Sequence, residues 1–344
     1  MHDPSTSRST SPAPPPTRRR LLMAAAALAG SRSARAAVPD DATLLIAGPS
    51  RGATAAWADV IVPPLVQALP PGIRLARESV GGADGVTAAN QFEARLAADG
   101  GSVLLLPGTA ALAWLVGDPR ARFNAAQWIT ALAGTTPAVL ASRLPLARFT
   151  AGQVVRVAGS PQGVALAALL ATEMLGATPQ AVPARPDHAD ADALLLHGRD
   201  LAGQVSALAR AGFAPVLALG DRGPDGQPGR EPDFPGLPTL DEQLAPGKRR
   251  PLAAALGAAV AAVRLDTALV LPPLTSASMV SLWRCACAQA AAARTTQAVS
   301  VRLGIHPNAE AAAVASTAPL AAMDAAAMLD LRQWLAQRFG WRPA

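Results

Sequence analysis

Tyrosine is absent from the 344-residue chain, aromatic residues make up 3%, and only two cysteines and four histidines occur. A binding site without phenol hydroxyls has to lean on backbone amides for recognition. The two cysteines, Cys285 and Cys287, lie two apart in a segment that reads as helix. Side chains at that spacing point about 200° apart around the axis, which disfavours a bridge between them. Both are read as buried small apolar side chains. Charge is scarce as well, at 16% against 51% hydrophobic residues, which excludes a disordered chain. No group of His, Cys, Asp and Glu has metal-ligand spacing, and neither a P-loop nor a dinucleotide fingerprint is present. No metal and no cofactor is therefore expected, and His188 with Asp190 reads as part of a solvated loop.

Basic charge is not spread along the chain either. The formal net charge is +6, yet residues 1–36 hold six Arg and one Asp, leaving 24 basic and 23 acidic residues in the remainder. A basic stripe interleaved with aromatics, the footprint of a nucleic-acid partner, is missing. The first residues run from a polar, Pro-rich start through Thr17-Arg18-Arg19-Arg20-Leu21-Leu22-Met23 into an apolar run ending at Gly30, then Ala34-Arg35-Ala36 before Ala37. Basic, apolar and small-residue segments in this order read as a signal peptide over residues 1–36, cleaved after Ala36. The apolar run falls well short of the roughly 20 residues of a bilayer-spanning helix. Its arginines resemble a twin-arginine signal, and the mature chain is expected in the periplasm.

From Asp41 onward, short apolar runs alternate with longer helical ones. Strands are expected at Thr43–Ala47, Ile73–Glu78 and Ser102–Leu106, with helices at Ala53–Leu69 and Gly85–Ala98 between them. Such a series with short connections implies a parallel sheet covered by helices. Pro137–Ser142 reads as a further strand. A second series follows, with strands at Val154–Ala158, Gln180–Pro183, Ala193–Leu196 and Ala214–Leu219 and helices at Pro161–Leu175 and Leu201–Ala211. Asp221–Pro238, dense in Gly, Pro and Asp, reads as loop. Beyond Leu252 the chain is Ala-rich, with a strand at Thr267–Leu271, a helix capped by Thr275 or Ser276, and a terminal helix through Trp334.

Two loops carry the chemistry. In each, a strand ends in a turn rich in Gly and Ser or Thr and feeds a helix start, where unpaired N–H groups and the helix dipole favour an anion. Ser50, Arg51, Gly52, Ala53 and Thr54 form the first cradle, and Ser160, Gln162 and Gly163 the second. Pro107, Gly108 and Thr109, after a third strand, complete the wall. The alternative for each loop is an ordinary capped helix start. Arg51 either pairs with a ligand carboxylate or projects into solvent.

Four segments resemble the periplasmic binding proteins of tripartite tricarboxylate transporters, the Bug proteins. Leu44–Thr54 (LLIAGPSRGAT) is similar to the family's first strand and its P-x-x-P-G-G-x-T-D loop. Glu78–Leu106 carries GGADG before a helix, then Ala98-Asp99-Gly100 and a strand, as in the family's A-D-G-Y-T-L-L. Val157–Gly163 (VAGSPQG) resembles the loop opening the second lobe's first helix. Pro232–Gly247 (PDFPGLPTLDEQLAPG) resembles P-x-x-P-D-V-P-T-x-x-E. Ala55 stands where the family's first loop closes on an acid, Arg51 replaces a loop glycine, and ARPDHADAD after Pro183 is too short for the family's next helix.

The resemblance implies an α/β, periplasmic-binding-protein-like fold: two α/β lobes joined by two crossing strands, near Pro137–Ser142 and Thr267–Leu271, with a ligand cleft between them. Lobe 1 would comprise residues 37–142 and 265–344, and lobe 2 residues 143–264. The implied function is capture of a small carboxylate-bearing metabolite, a di- or tricarboxylate or related acid, by a monomer that delivers it to membrane permease subunits. Two alternatives stay open. Gly48-Pro49-Ser50-Arg51-Gly52 fits the G-x-S-x-G elbow of a serine hydrolase, with His188, His197 and His306 as candidate bases. The same cleft also suits a sensor or adaptor for a membrane signalling partner.

Overall fold

The computed structural model describes residues 41–95, 101–223, 225, 227–244 and 252–342, so the expected signal peptide lies outside the described residues. In chain order the elements are β1 (Asp41–Ala47), α1 (Ala53–Ala68), β2 (Arg74–Val80), α2 (Val86–Ala94), β3 (Ser102–Leu106), α3 (Thr109–Val116), β4 (Ile129–Thr135) and β5 (Ala138–Ser142). Next come β6 (Val154–Ala158), α4 (Ala165–Leu175), β7 (Thr178–Val182), β8 (Ala193–His197), α5 (Leu201–Ala209) and β9 (Ala214–Ala218). A short hairpin of β10 (Asp221–Arg222) and β11 (Pro228–Gly229) interrupts the expected loop and leads to α6 (Leu240–Gln243). The last third holds α7 (Ala253–Arg264), β12 (Leu265–Leu271), α8 (Ala277–Ala292), α9 (Arg294–Leu303), β13 (His306–Ala309), α10 (Glu310–Ala321) and α11 (Ala325–Phe339).

Two mixed sheets result. The first has the order β13-β4-β12-β3-β1-β2, with β1 parallel to β2 and β3 and with β12 antiparallel to β3 and β4. The second has the order β7-β6-β8-β5-β9, with β6 parallel to β7 and β8 and with β5 antiparallel to β8 and β9. Alternation along β1 sets the layers of the first sheet: Leu44 and Ile46 face a core with Trp57 of α1 and Trp283 of α8, while Leu45 and Ala47 face the opposite one. That opposite core runs on without a break into the second sheet, taking in α7, α4, Leu140, Val155 and Val157.

The chain passes from the first sheet to the second through Thr136 and Pro137 and returns where α7 runs into β12. The two passages touch, because the Thr136 N–H donates to the Arg264 carbonyl at 2.8 Å. Both adjoin the strands expected to make the crossings. β5 pairs with β8 and β9, within the second sheet alone.

Three further differences have local causes. Helix α4 begins at Ala165 rather than Pro161, because residues 160–163 close into a turn in which the Gly163 N–H donates to the Ser160 carbonyl at 3.0 Å. Strand β4, for which the sequence reading has no element, is rich in Ala and Gly, poor strand formers, and is held by partners on both edges. Cys285 is exposed while Cys287 is buried, which corrects the expectation that both are inside. The angular offset that disfavours their bridge turns one to solvent and one to the core, where burial pushes the Cys287 thiol up to about 12.

Candidate functional site

Strands β1 and β3 are parallel, so their carboxyl ends open on the same side of the first sheet, the place where open α/β sheets hold ligands. Beyond β1, the Pro49 carbonyl accepts from the Gly52 N–H at 2.8 Å, and the Gly52 carbonyl then accepts from the Ala56 N–H as α1 begins. Beyond β3, Pro107 and Gly108 lead directly into α3. No side chain caps either helix, at Gly52 or at Gly108, so first-turn N–H groups of both are left without a side-chain acceptor. The Thr109 hydroxyl instead donates to the Asp84 carbonyl at 3.0 Å and ties the β3 turn to the β2 turn.

These helix starts border a cavity of about 300 Å³ between the two sheets. Gly52, Ala53, Thr54, Pro107, Gly108 and Thr109 line it from the first sheet. Thr136, Val164, His197 and Gly198 line it from the passage and the second sheet, and Asp266 of β12 joins them. The fully buried Thr136 accepts the Gly198 N–H on its hydroxyl at 3.2 Å. Arg199, next in the chain, makes a two-pronged ion pair with Asp266, at 2.8 Å on each prong, and also donates to the Ala53 carbonyl at 3.3 Å. One guanidinium thus joins the loop after β8 to β12 and to the first turn of α1.

Of the sequence-selected residues, the six of the first and third loops that border the cavity meet as described. Ser50 and Arg51 do not line it, and both are exposed. Ser160, Gln162 and Gly163 do not line it either, and only the adjoining Val164 does. The Ser160 hydroxyl donates to the Gln162 side chain and accepts the Gln162 N–H, so this turn satisfies its own polar groups. Ala55 is buried against the core, and residues 184–192 hold turns without a helix.

The candidate hydrolase bases are dispersed. His188 packs edge-on against Phe213, His306 pairs with Asp233 at 2.8 Å, and among the described residues no histidine hydrogen-bonds to Ser50. Burial pulls the pKa of His197 below its usual 6.5, because the charged ring loses its hydration. An NMR titration of the His197 ring should accordingly show a midpoint below 6.5. Since the unfolded ring binds the proton more readily, stability is full above pH 6.5 and is lost as pH falls towards the folded midpoint, an effect His197→Gln should remove.

Thr136, Gly198, Arg199 and Asp266 were not singled out from the sequence, and His197 was singled out only as a candidate hydrolase base. A signal existed for two places: His197-Gly198-Arg199-Asp200 closes an apolar strand as the first cradle does, and Asp266 is a lone carboxylate inside an apolar strand. What no pattern reveals is that these two places meet.

No protein-family model and no curated protein matches the chain. Among solved structures, a TctC solute binding protein from Polaromonas superposes with a TM-score of 0.61 at 15% identity, over 86% of this chain and 98% of that one. The periplasmic binding protein BugD superposes with a TM-score of 0.50 at 15% identity, over 87% of this chain and 97% of that one. The chain therefore has the fold of these solute-binding proteins, the two-lobed α/β fold that the sequence resemblance implied.

Proposed function

We propose that the chain is an exported solute-binding protein that holds a small carboxylate-bearing metabolite between two lobes and presents it to the permease of a tripartite tricarboxylate-type transporter. The carrying observation is that two helix starts without side-chain caps, α1 and α3, border one cavity between the sheets. Each such start favours a carboxylate by roughly 0.3 to 1 kcal/mol when exposed and by up to about 2 kcal/mol when partly buried. Lobe 1 is taken as residues 37–136 with 265–344 and lobe 2 as the chain between, a division that follows the pairing of β5. Residues 1–36 are taken as the signal peptide, so that the mature periplasmic chain begins at Ala37. Closure about the two passages would bury the ligand and create the form a permease recognises.

A melting-temperature screen of dicarboxylates, tricarboxylates, aromatic acids and amino acids tests this reading. A true ligand stabilises by about 2.7 kcal/mol at a hundredfold excess over its dissociation constant, so the melting temperature should climb steadily with concentration. No shift with any carboxylate would count against the site. A sensor kinase captured in place of a permease would move the protein to the signalling class.

A further inference from the structure

The charge inside the cavity narrows the ligand class, on the reading that the cavity is the ligand site. Asp266 is the one carboxylate among the lining residues, which include no Lys or Arg, and burial disfavours the charged form of the lining His197. Its side chain is 11% exposed, and its partner Arg199, which follows the lining residue Gly198 in the chain, is 22% exposed. Both charges therefore sit where water cannot replace a lost partner cheaply.

A ligand carrying only carboxylates meets an unfavourable exchange here. Its carboxylate can take the Arg199 guanidinium, a geometry well suited to two-pronged pairing, only by displacing Asp266. That leaves a bare, mostly buried carboxylate beside a second anion, and like charges in one site raise each other's energy. A ligand carrying an ammonium as well exchanges one internal ion pair for two: carboxylate with Arg199 and the α1 start, ammonium with Asp266. We propose that the cavity takes zwitterionic amino-carboxylates, amino acids or their close relatives, in preference to simple dicarboxylates. Arg199 receives the carboxylate and Asp266 the ammonium. The Arg199–Asp266 pair joins the loop after β8 to β12, and a zwitterion would pair with each of its two charges in turn.

Affinities of the mature protein for matched pairs provide the test: aspartate with succinate, glutamate with glutarate, alanine with propionate, each measured by calorimetry and by melting-temperature shift. At least one amino acid should bind tenfold or more tightly than its des-amino partner. Asp266→Asn should cost the amino acid at least tenfold and narrow or reverse the preference, while Arg199→Gln should weaken both members of a pair. Should Asp266→Asn melt too low to assay, the doubly neutral Arg199→Gln/Asp266→Asn protein removes both buried charges together and should bind the two members of a pair alike. If succinate or glutarate outbinds its amino partner in the wild-type protein, the zwitterion assignment is overturned while the carboxylate site stands. If neither class binds, the site reading itself falls and this assignment with it.

Discussion

Replacing Glu231 by alanine should destabilise the protein by about 3–5 kcal/mol, the cost of leaving a buried charge without its partner. Glu231 is fully buried in the loop after β11 and pairs with Arg264, itself buried at the end of α7. The position magnifies the effect. The Arg264 carbonyl accepts the Thr136 N–H, and Thr136 in turn accepts the Gly198 N–H, so the pair anchors both passages between the sheets and one edge of the cavity. Urea unfolding of Glu231→Ala, Arg264→Met and the double variant checks this. Each single change should cost several kcal/mol, whereas the double change should recover much of the loss because no lone charge remains. A single-variant cost under about 1 kcal/mol, the range of an exposed pair, would show that the pair is solvated.

The second large effect is expected at Gly108. Its backbone angles, φ −65° and ψ −15°, suit any residue, so the requirement for glycine is one of space. A Cβ there would lie 1.9 Å from the Ala262 carbonyl oxygen and 2.9 Å from the Leu265 Cβ. The obstacle is backbone, and relief requires α3 to move away from α7 as a unit. Gly108→Ala should exceed the usual 1–3 kcal/mol of overpacking and shift the cavity wall, lowering ligand affinity together with stability. Gly81→Ala is the comparison: a Cβ at that position meets nothing within 4 Å, and the change should fall within about 0.5 kcal/mol. Equal melting temperatures for the two variants would contradict the close approach of α3 and α7.

The strands with the plainest patterns were legible in the sequence. β1 ends in the apolar run Leu44–Ala47 and β3 is apolar from Val103 to Leu106, each followed by turn residues, the pattern of a strand buried on both faces. The Ser276 cap of α8, which accepts the Met279 N–H, was legible for the same local reason. Helix α3 was not: TAALAWLV is apolar on every side, so it shows no 3.6-residue stripe, and it is helical because α2, α7 and α11 enclose it. Strand β4 owes its form to β12, 130 residues later in the chain, which no local pattern anticipates.

The candidate site divides in the same way. Gly52 to Thr54 and Pro107 to Thr109 were legible because a strand that ends in a glycine turn before a helix exposes N–H groups by its own geometry. The turn at Ser160 has the same composition but lies outside the cavity, since composition states what a turn can do and says nothing of where it points. Local sequence determined where N–H groups would be left unpaired, because capping and turn chemistry act within four or five residues. Tertiary structure alone decided that Asp266 pairs with Arg199 and that Arg199 also reaches the first turn of α1, because long-range pairing brings together charges 67 residues apart whose energy depends on distance and burial, neither of which a linear sequence contains.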